Sequence, residues 1–175
     1  MGNPKTDWGY KTEEDPGLNG RSLKWPRGKV LGGSSSINGL LYVRGQAEDY
    51  DNWRQLGNTG WSWDDVAPLF KRSENFENGT REDDLRGGSG PLSVSDTTVT
   101  RQCVDDWITS AVNAGYKRAK DYNGADQEGV ALFQLTTRNG RRCSSAVAYL
   151  NPAKSRDNLT VLPRCAVEKL TFEGK

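Results

Sequence analysis

The chain has 175 residues, 34% of them hydrophobic, with 24 basic against 23 acidic side chains for a net charge of +1. That length supports one domain, or one and a part, and the balanced charge gives no pull toward nucleic acid or an anionic membrane. The chain contains no histidine, so neither a histidine acid–base mechanism nor a histidine-ligated metal site can be completed within it.

In chain order, residues 1–24 are polar, carry Pro4, Pro16 and several glycines, and read as loop with a short extended piece. Residues 25–45, "WPRGKVLGGSSSINGLLYVRG", place two glycines and three serines ahead of an apolar stretch. A helix is expected over 34–44, started by a serine cap. "AEDYDNWRQL" (47–56) fits a short amphipathic helix. The next helix follows Ser62, with Asp65 three residues on as a capping box and Val66, Leu69, Phe70 and Ser73 on one face.

Residues 77–91 are charged and glycine-rich and read as loop. The strongest helical pattern is 98–114, with Val99, Cys103, Val104, Trp107, Ile108, Ala111 and Val112 on one side and Gly115 at the C′ position. A strand is expected over 130–137, closed by the turn pair Asn139-Gly140. A short helix over 144–150 should stop before Pro152, and "NLTVL" and "AVEKLTFEG" should form two strands within 158–174. The fold class is α/β, read as α+β within these residues, with the last strands lacking neighbours for a full sheet.

Cys103, Cys143 and Cys165 form no paired framework and read as reduced thiols of a cytosolic-type compartment. No apolar run reaches the ~18–20 residues of a membrane helix. The sequons at Asn78 and Asn158, without a secretion signal, read as chance.

The glycine–serine stretch admits two readings. One is a tight turn with a serine cap. The other is a phosphate cradle, because glycine lets backbone amides approach a ligand and a helix start leaves amides unpaired. A P-loop is excluded: Gly28-Lys29 lacks the upstream glycine and the following serine or threonine. "GGSGPL" (87–92) has no apolar strand before it and reads as loop.

"RGKVLGGSSSINGLLYVRGQAEDYD" resembles the first signature of the glucose-methanol-choline (GMC) oxidoreductases, through Gly28, Lys29, Leu31, Gly32, Gly33, Ser34, Ser35, Ile37, Asn38, Tyr42, Gly45 and Asp51. "NGRSLKWPRGK", "DYNGADQEGVALFQLTTRNGRRCSSAVAYLNPA" and "NLTVLPRCAVEKLTFEGK" extend the resemblance over nearly the whole chain, with 77–100 indistinct and a flavour of the bacterial choline and alcohol dehydrogenases.

The resemblance implies an FAD-dependent oxidoreductase acting on CH–OH groups, taking a primary alcohol to an aldehyde with hydride passing to flavin. The alternative is a non-catalytic FAD- or nucleotide-binding module. By resemblance, Val30, Gly32, Gly33, Ser34, Asn38, Gly39, Leu40 and Leu41 meet the cofactor, and the main chain of Val167 holds adenine. Isoleucine at 37, where some members carry the attachment histidine, implies non-covalent FAD. The segments 1–65 and 151–175 then belong to a GMC-type FAD-binding domain and 66–150 to a substrate-binding domain.

The family's G-x-G-x-x-G unit and catalytic histidine have no counterpart here, so the chain is expected to be an internal fragment, inactive alone, with no catalytic residue of its own and no metal. The expected partner is a primary alcohol, with no nucleic acid; the electron acceptor is left open. The expected location is cytoplasmic, with peripheral association with the inner membrane as an extension. Tyr42, Trp61, Trp63 and Trp107 could line a substrate pocket, but core packing is the preferred reading. Arg141-Arg142 could meet an anion, and a solvated turn pair is preferred.

Overall fold

A computed structural model describes residues 2–78 and 85–174. Residues 79–84, within the loop expected over 77–91, lie outside the described residues, as does part of the Asn78 sequon.

Residues 2–29 form an irregular ladder rather than a plain loop. Bridges join Asp7 to Gly28, Lys11 to Lys24 and Asp15 to Arg21, and a 3-10 turn, Pro16–Leu18, caps the far end. The expected helix over 34–44 is absent. A four-residue 3-10 turn, Gly33–Ser36, stands there, followed by the two-residue strand β1, Leu41–Tyr42. Side-chain competition accounts for this. Ser35 Oγ donates to Gly32 O (2.5 Å), Ser36 Oγ donates to Leu31 O (2.9 Å), and Ser34 Oγ accepts from the Gly28 amide (3.1 Å). These local bonds offer the backbone an alternative to a helical ladder. Leu40 then adopts φ 69°, which no helix continues through.

Helix α1, Ala47–Gln55, and helix α2, Trp63–Ser73, form where the pattern placed them. The Ser62–Asp65 capping box is present, with the Asp65 carboxylate accepting from the Ser62 amide (3.0 Å). Tyr50 and Trp53 of α1 meet Trp61, Trp63 and Phe70 through edge and tilted ring contacts, which seats α1 on α2.

Strands β2 (Glu74–Phe76), β3 (Leu92–Asp96) and β4 (Gln134–Leu135) complete a four-stranded sheet in the order β1-β4-β3-β2. The β2/β3 pair is parallel and the other two are antiparallel. Of the strand expected over 130–137, only Gln134, Leu135 and Thr137 pair in ladders. Thr137–Arg138 (β5) and Arg141–Arg142 (β6) form a hairpin across Asn139-Gly140, both at positive φ, as an Asn-Gly turn should.

Helix α3, Gln102–Asn113, begins later than its apolar pattern, and Gly115 takes φ 99° just past its end. Of the face read from the pattern only Ile108 is buried; Trp107 is 64% exposed, so the core reading fails for it. The expected helix at 144–150 is a π-helical turn, Ala146–Leu150, which runs through Pro152 as one α-turn, Asn151–Ala153. Pro152 stands at the second position of that α-turn.

The two strands expected within 158–174 do not form. Leu162, Val167, Leu170 and Phe172 are all more than 70% exposed. A strand exists only through pairing, and among the described residues nothing pairs with this segment. The apolar core is small: Val66, Phe76, Val94, Ile108, Cys143 and Ala148. Among the described residues no helix is long and apolar enough to cross a membrane.

Candidate cofactor-binding site

The loop Val30–Leu41 is held from two sides. Internally, a Cβ on Gly28 would lie 2.1 Å from Gly33 O, and one on Gly32 (φ 86°) would lie 2.5 Å from Ser36 Oγ and 3.1 Å from Ala146 Cβ. Only glycine fits at either position. Gly33 and Gly39 differ: a Cβ on either meets nothing within 4 Å, although Gly33 has φ 54°. Gly32 is therefore small for the chain's own packing, while Gly33 and Gly39 leave open space over the backbone.

From outside, the loop is tied to the end of the β5–β6 hairpin. Arg142 Nη1 donates to Ser35 O (3.0 Å) and Asn38 Oδ1 (2.7 Å), and its Nη2 donates to Asn38 O (2.9 Å). The Ser145 amide donates to Ser35 Oγ (2.9 Å), and Ser145 Oγ donates to Gly32 O (3.2 Å). Arg142 is thus a clamp and not the solvated turn residue its position beside Asn139-Gly140 suggests. Arg141 is exposed.

Of the residues named from sequence, Val30, Gly32, Gly33, Ser34, Asn38, Gly39, Leu40 and Leu41 fall on this one loop. Val30 and Leu41 are half exposed, and Asn38 and Gly39 are exposed. Val167 stands apart, 80% exposed and outside any strand, which corrects the expectation of a strand residue.

Behind the loop lies a feature that sequence reading missed. Glu74, fully buried, accepts from Arg44 Nη2, from Arg86 Nε (3.1 Å to each oxygen) and Nη2, and from the Gly87 amide (2.8 Å). Arg86 Nη1 also donates to both Asp121 oxygens (2.9 Å each) and to Gln134 Oε1 (2.9 Å). Burial pulls the Arg86 guanidinium down, but Glu74 and Asp121 more than offset this and keep it charged. Asn123 Oδ1 accepts from the Arg44 amide (2.7 Å), and its Nδ2 donates to Tyr42 O (3.1 Å). The network ends on β1 and so fixes the loop's exit. Its members sit in unremarkable "RG" and "SEN" contexts, with no periodicity to mark them.

Burial also pushes the Tyr42 and Tyr122 phenols up, so both stay protonated at neutral pH. Tyr122 donates to Tyr42 O (2.8 Å) and accepts from the Gln134 amide (2.6 Å), a structural use. Among the described residues no group of three or more His, Cys, Asp or Glu could hold a metal.

Mixed helices and strands, with a glycine-rich loop pinned by Arg142 and Ser145, define an α/β domain. The GMC oxidoreductase family model matches residues 11–175, and the chain belongs to that family. It is 48% identical over 168 residues to an oxygen-dependent choline dehydrogenase of Sinorhizobium fredii, covering 96% of this chain and 30% of that protein. A namesake from Rhizobium rhizogenes is 45% identical over 174 residues, covering 99% and 31%. The chain spans about a third of the curated relatives it matches. Among solved structures, a pyridoxine 4-oxidase from Mesorbium loti superposes with a TM-score of 0.88 at 32% identity, covering 97% of this chain and 33% of that one. An FAD-dependent oxidoreductase from Chaetomium thermophilum gives 0.87 at 31%, covering 97% and 31%.

Proposed function

We propose that this chain supplies part of the cofactor and substrate site of an FAD-dependent oxidoreductase that takes a primary alcohol to an aldehyde. The observation that carries this is the Val30–Leu41 loop, whose Gly33 and Gly39 leave the backbone uncovered while the rest of the loop is pinned. Family membership supports it. Gly33 and Gly39 lie on the open side, and the residues proposed to hold the group are Val30, Gly32, Gly33 and Ser34 with the turn Asn38, Gly39, Leu40 and Leu41. Among the described residues the Val167 main chain forms no backbone hydrogen bond, which leaves a donor and an acceptor to offer adenine. FAD, when bound, supplies the hydride acceptor. The chain's own residues bind and orient it and exclude water from the loop's packed side.

Ile37 has no nucleophilic nitrogen, so the proposed binding is non-covalent. Segments 1–65 and 151–175 are proposed to serve the cofactor and 66–150 the substrate, in a cytoplasmic protein. The test is calorimetric titration of the chain with FAD and with ADP, followed by acid precipitation. Binding of FAD, with all flavin released to the supernatant, is expected. Absence of binding by both nucleotides refutes the reading.

A second reading is a module that binds flavin or nucleotide without turnover, supported by a glycine loop that leaves backbone uncovered at Gly33 and Gly39. Flavin binding with no alcohol-dependent bleaching of its visible absorbance, in the presence of primary alcohols including choline, distinguishes it.

A further inference from the structure

We infer that Arg142 is a positioning residue that sets which face of the Asn38 amide is offered to a ligand. The inference rests on the proposed flavin site for its functional meaning, but its structural core does not. Asn38 Oδ1 accepts twice, from Arg142 Nη1 (2.7 Å) and from the Leu40 amide (3.1 Å). Both acceptor directions of that oxygen are therefore spent within the chain. A flipped amide would place its NH2 against two donors, so the orientation is locked. Among the described residues the Asn38 Nδ2 group has no protein partner, and the residue is exposed. Asn38 therefore presents donors only, and a ligand atom seated over Gly39 is selected as an acceptor: a carbonyl oxygen or an imine-type ring nitrogen.

The same guanidinium also holds Ser35 O and Asn38 O, so it spans the loop from the serine turn to the donor. A guanidinium suits this because it is planar and always charged, with several donors in a fixed fork. An ammonium is a single point and cannot reach all three oxygens in that geometry. Ser145 secures the start of the loop independently through Gly32 O and Ser35 Oγ. Loss of Arg142 therefore frees the Asn38 end while the Gly32 end stays fixed.

Amide hydrogen exchange on the chain, with FAD titration alongside, tests this. Arg142→Ala should raise exchange across residues 35–41 by about tenfold or more, the scale of losing charge-assisted hydrogen bonds, with α3 unchanged. Arg142→Lys, which keeps charge and stem, should show most of that loosening and guards against a misfolded alanine variant. Guanidinium ion at millimolar concentration should restore protection to Arg142→Ala and leave Arg142→Lys unchanged. Asn38→Asp keeps the oxygen that Arg142 and Leu40 use and removes the donor, so loop protection should persist while FAD affinity falls about tenfold or more.

Unchanged exchange over 35–41 in both Arg142 variants overturns the inference, whether or not FAD binds. So does full FAD affinity in Asn38→Asp. Failure of the wild-type chain to bind FAD, with the exchange and rescue results as expected, overturns the proposed function and leaves the locked amide standing.

Discussion

Replacing Glu74 with glutamine probes the buried ion network directly. The native carboxylate stands between two guanidinium groups and one backbone amide with no exposed surface. Arg44 and Arg86 contribute two positive charges, and Glu74 and Asp121 balance them. Glutamine removes one negative charge and turns an NH2 toward donors that accept nothing. The interior is left with one uncompensated positive charge, which costs about 3–5 kcal/mol when one partner of a buried pair is lost. For a chain of this size each kcal/mol lowers Tm by about 2–4 °C, so the expected fall is about 6–20 °C. Thermal melts followed by circular dichroism, with urea titrations to check the m-value, give the number. Glu128→Gln, at an exposed site, is the control and should stay within about 0.5 kcal/mol. A Glu74→Gln chain melting within about 3 °C of the parent, at unchanged m-value, refutes the claim that the network is paired and buried.

The two loop glycines should separate stability from binding. Gly32→Ala combines a positive φ with contacts of 2.5 and 3.1 Å and should cost about 2–5 kcal/mol in urea unfolding. Gly33→Ala carries only the left-handed backbone cost, about 1–2 kcal/mol, yet should weaken FAD binding measurably by calorimetry. The Ser62 hydroxyl and amide hold the Asp65 carboxyl below its ordinary value. A lowered folded-state pKa stabilises above the unfolded value and is lost as pH falls through the folded one. Asp65→Asn should therefore raise exchange in the first turn of α2 at pH 6, with the difference vanishing as pH drops from about 4 through the lowered value. The purified chain with FAD should oxidise no alcohol, and steady oxygen or dye consumption with choline would contradict this.

Local signals in the sequence carried the local elements. The Ser62–Asp65 box, the Asn139-Gly140 turn and Gly115 each act within a few residues, and each stands where it was read. The failures share a cause. The helix expected after Ser34 lost to serine hydroxyls bonding back onto Gly28, Leu31 and Gly32, an outcome that periodicity does not encode. Val99 lies ahead of α3 and Trp107 on it, both exposed, and among the described residues the 158–174 segment finds no partner edge. In the site, the glycine loop was legible because its residue types are rare together. Arg142, Arg44 and Arg86 were not, because an arginine's partner is defined only by the fold.

The distance along the chain between the loop and its clamp has a consequence for biosynthesis. Arg142 and Ser145 meet residues 104–113 positions earlier. At about 5–20 residues per second of synthesis, roughly 5–20 s separate the emergence of the two halves. During that interval the serine turn and Asn38 are without their fasteners, and the donor that Arg142 orients does not yet exist as a fixed direction. Capture of a ligand by this loop therefore belongs after translation of the hairpin and not during it.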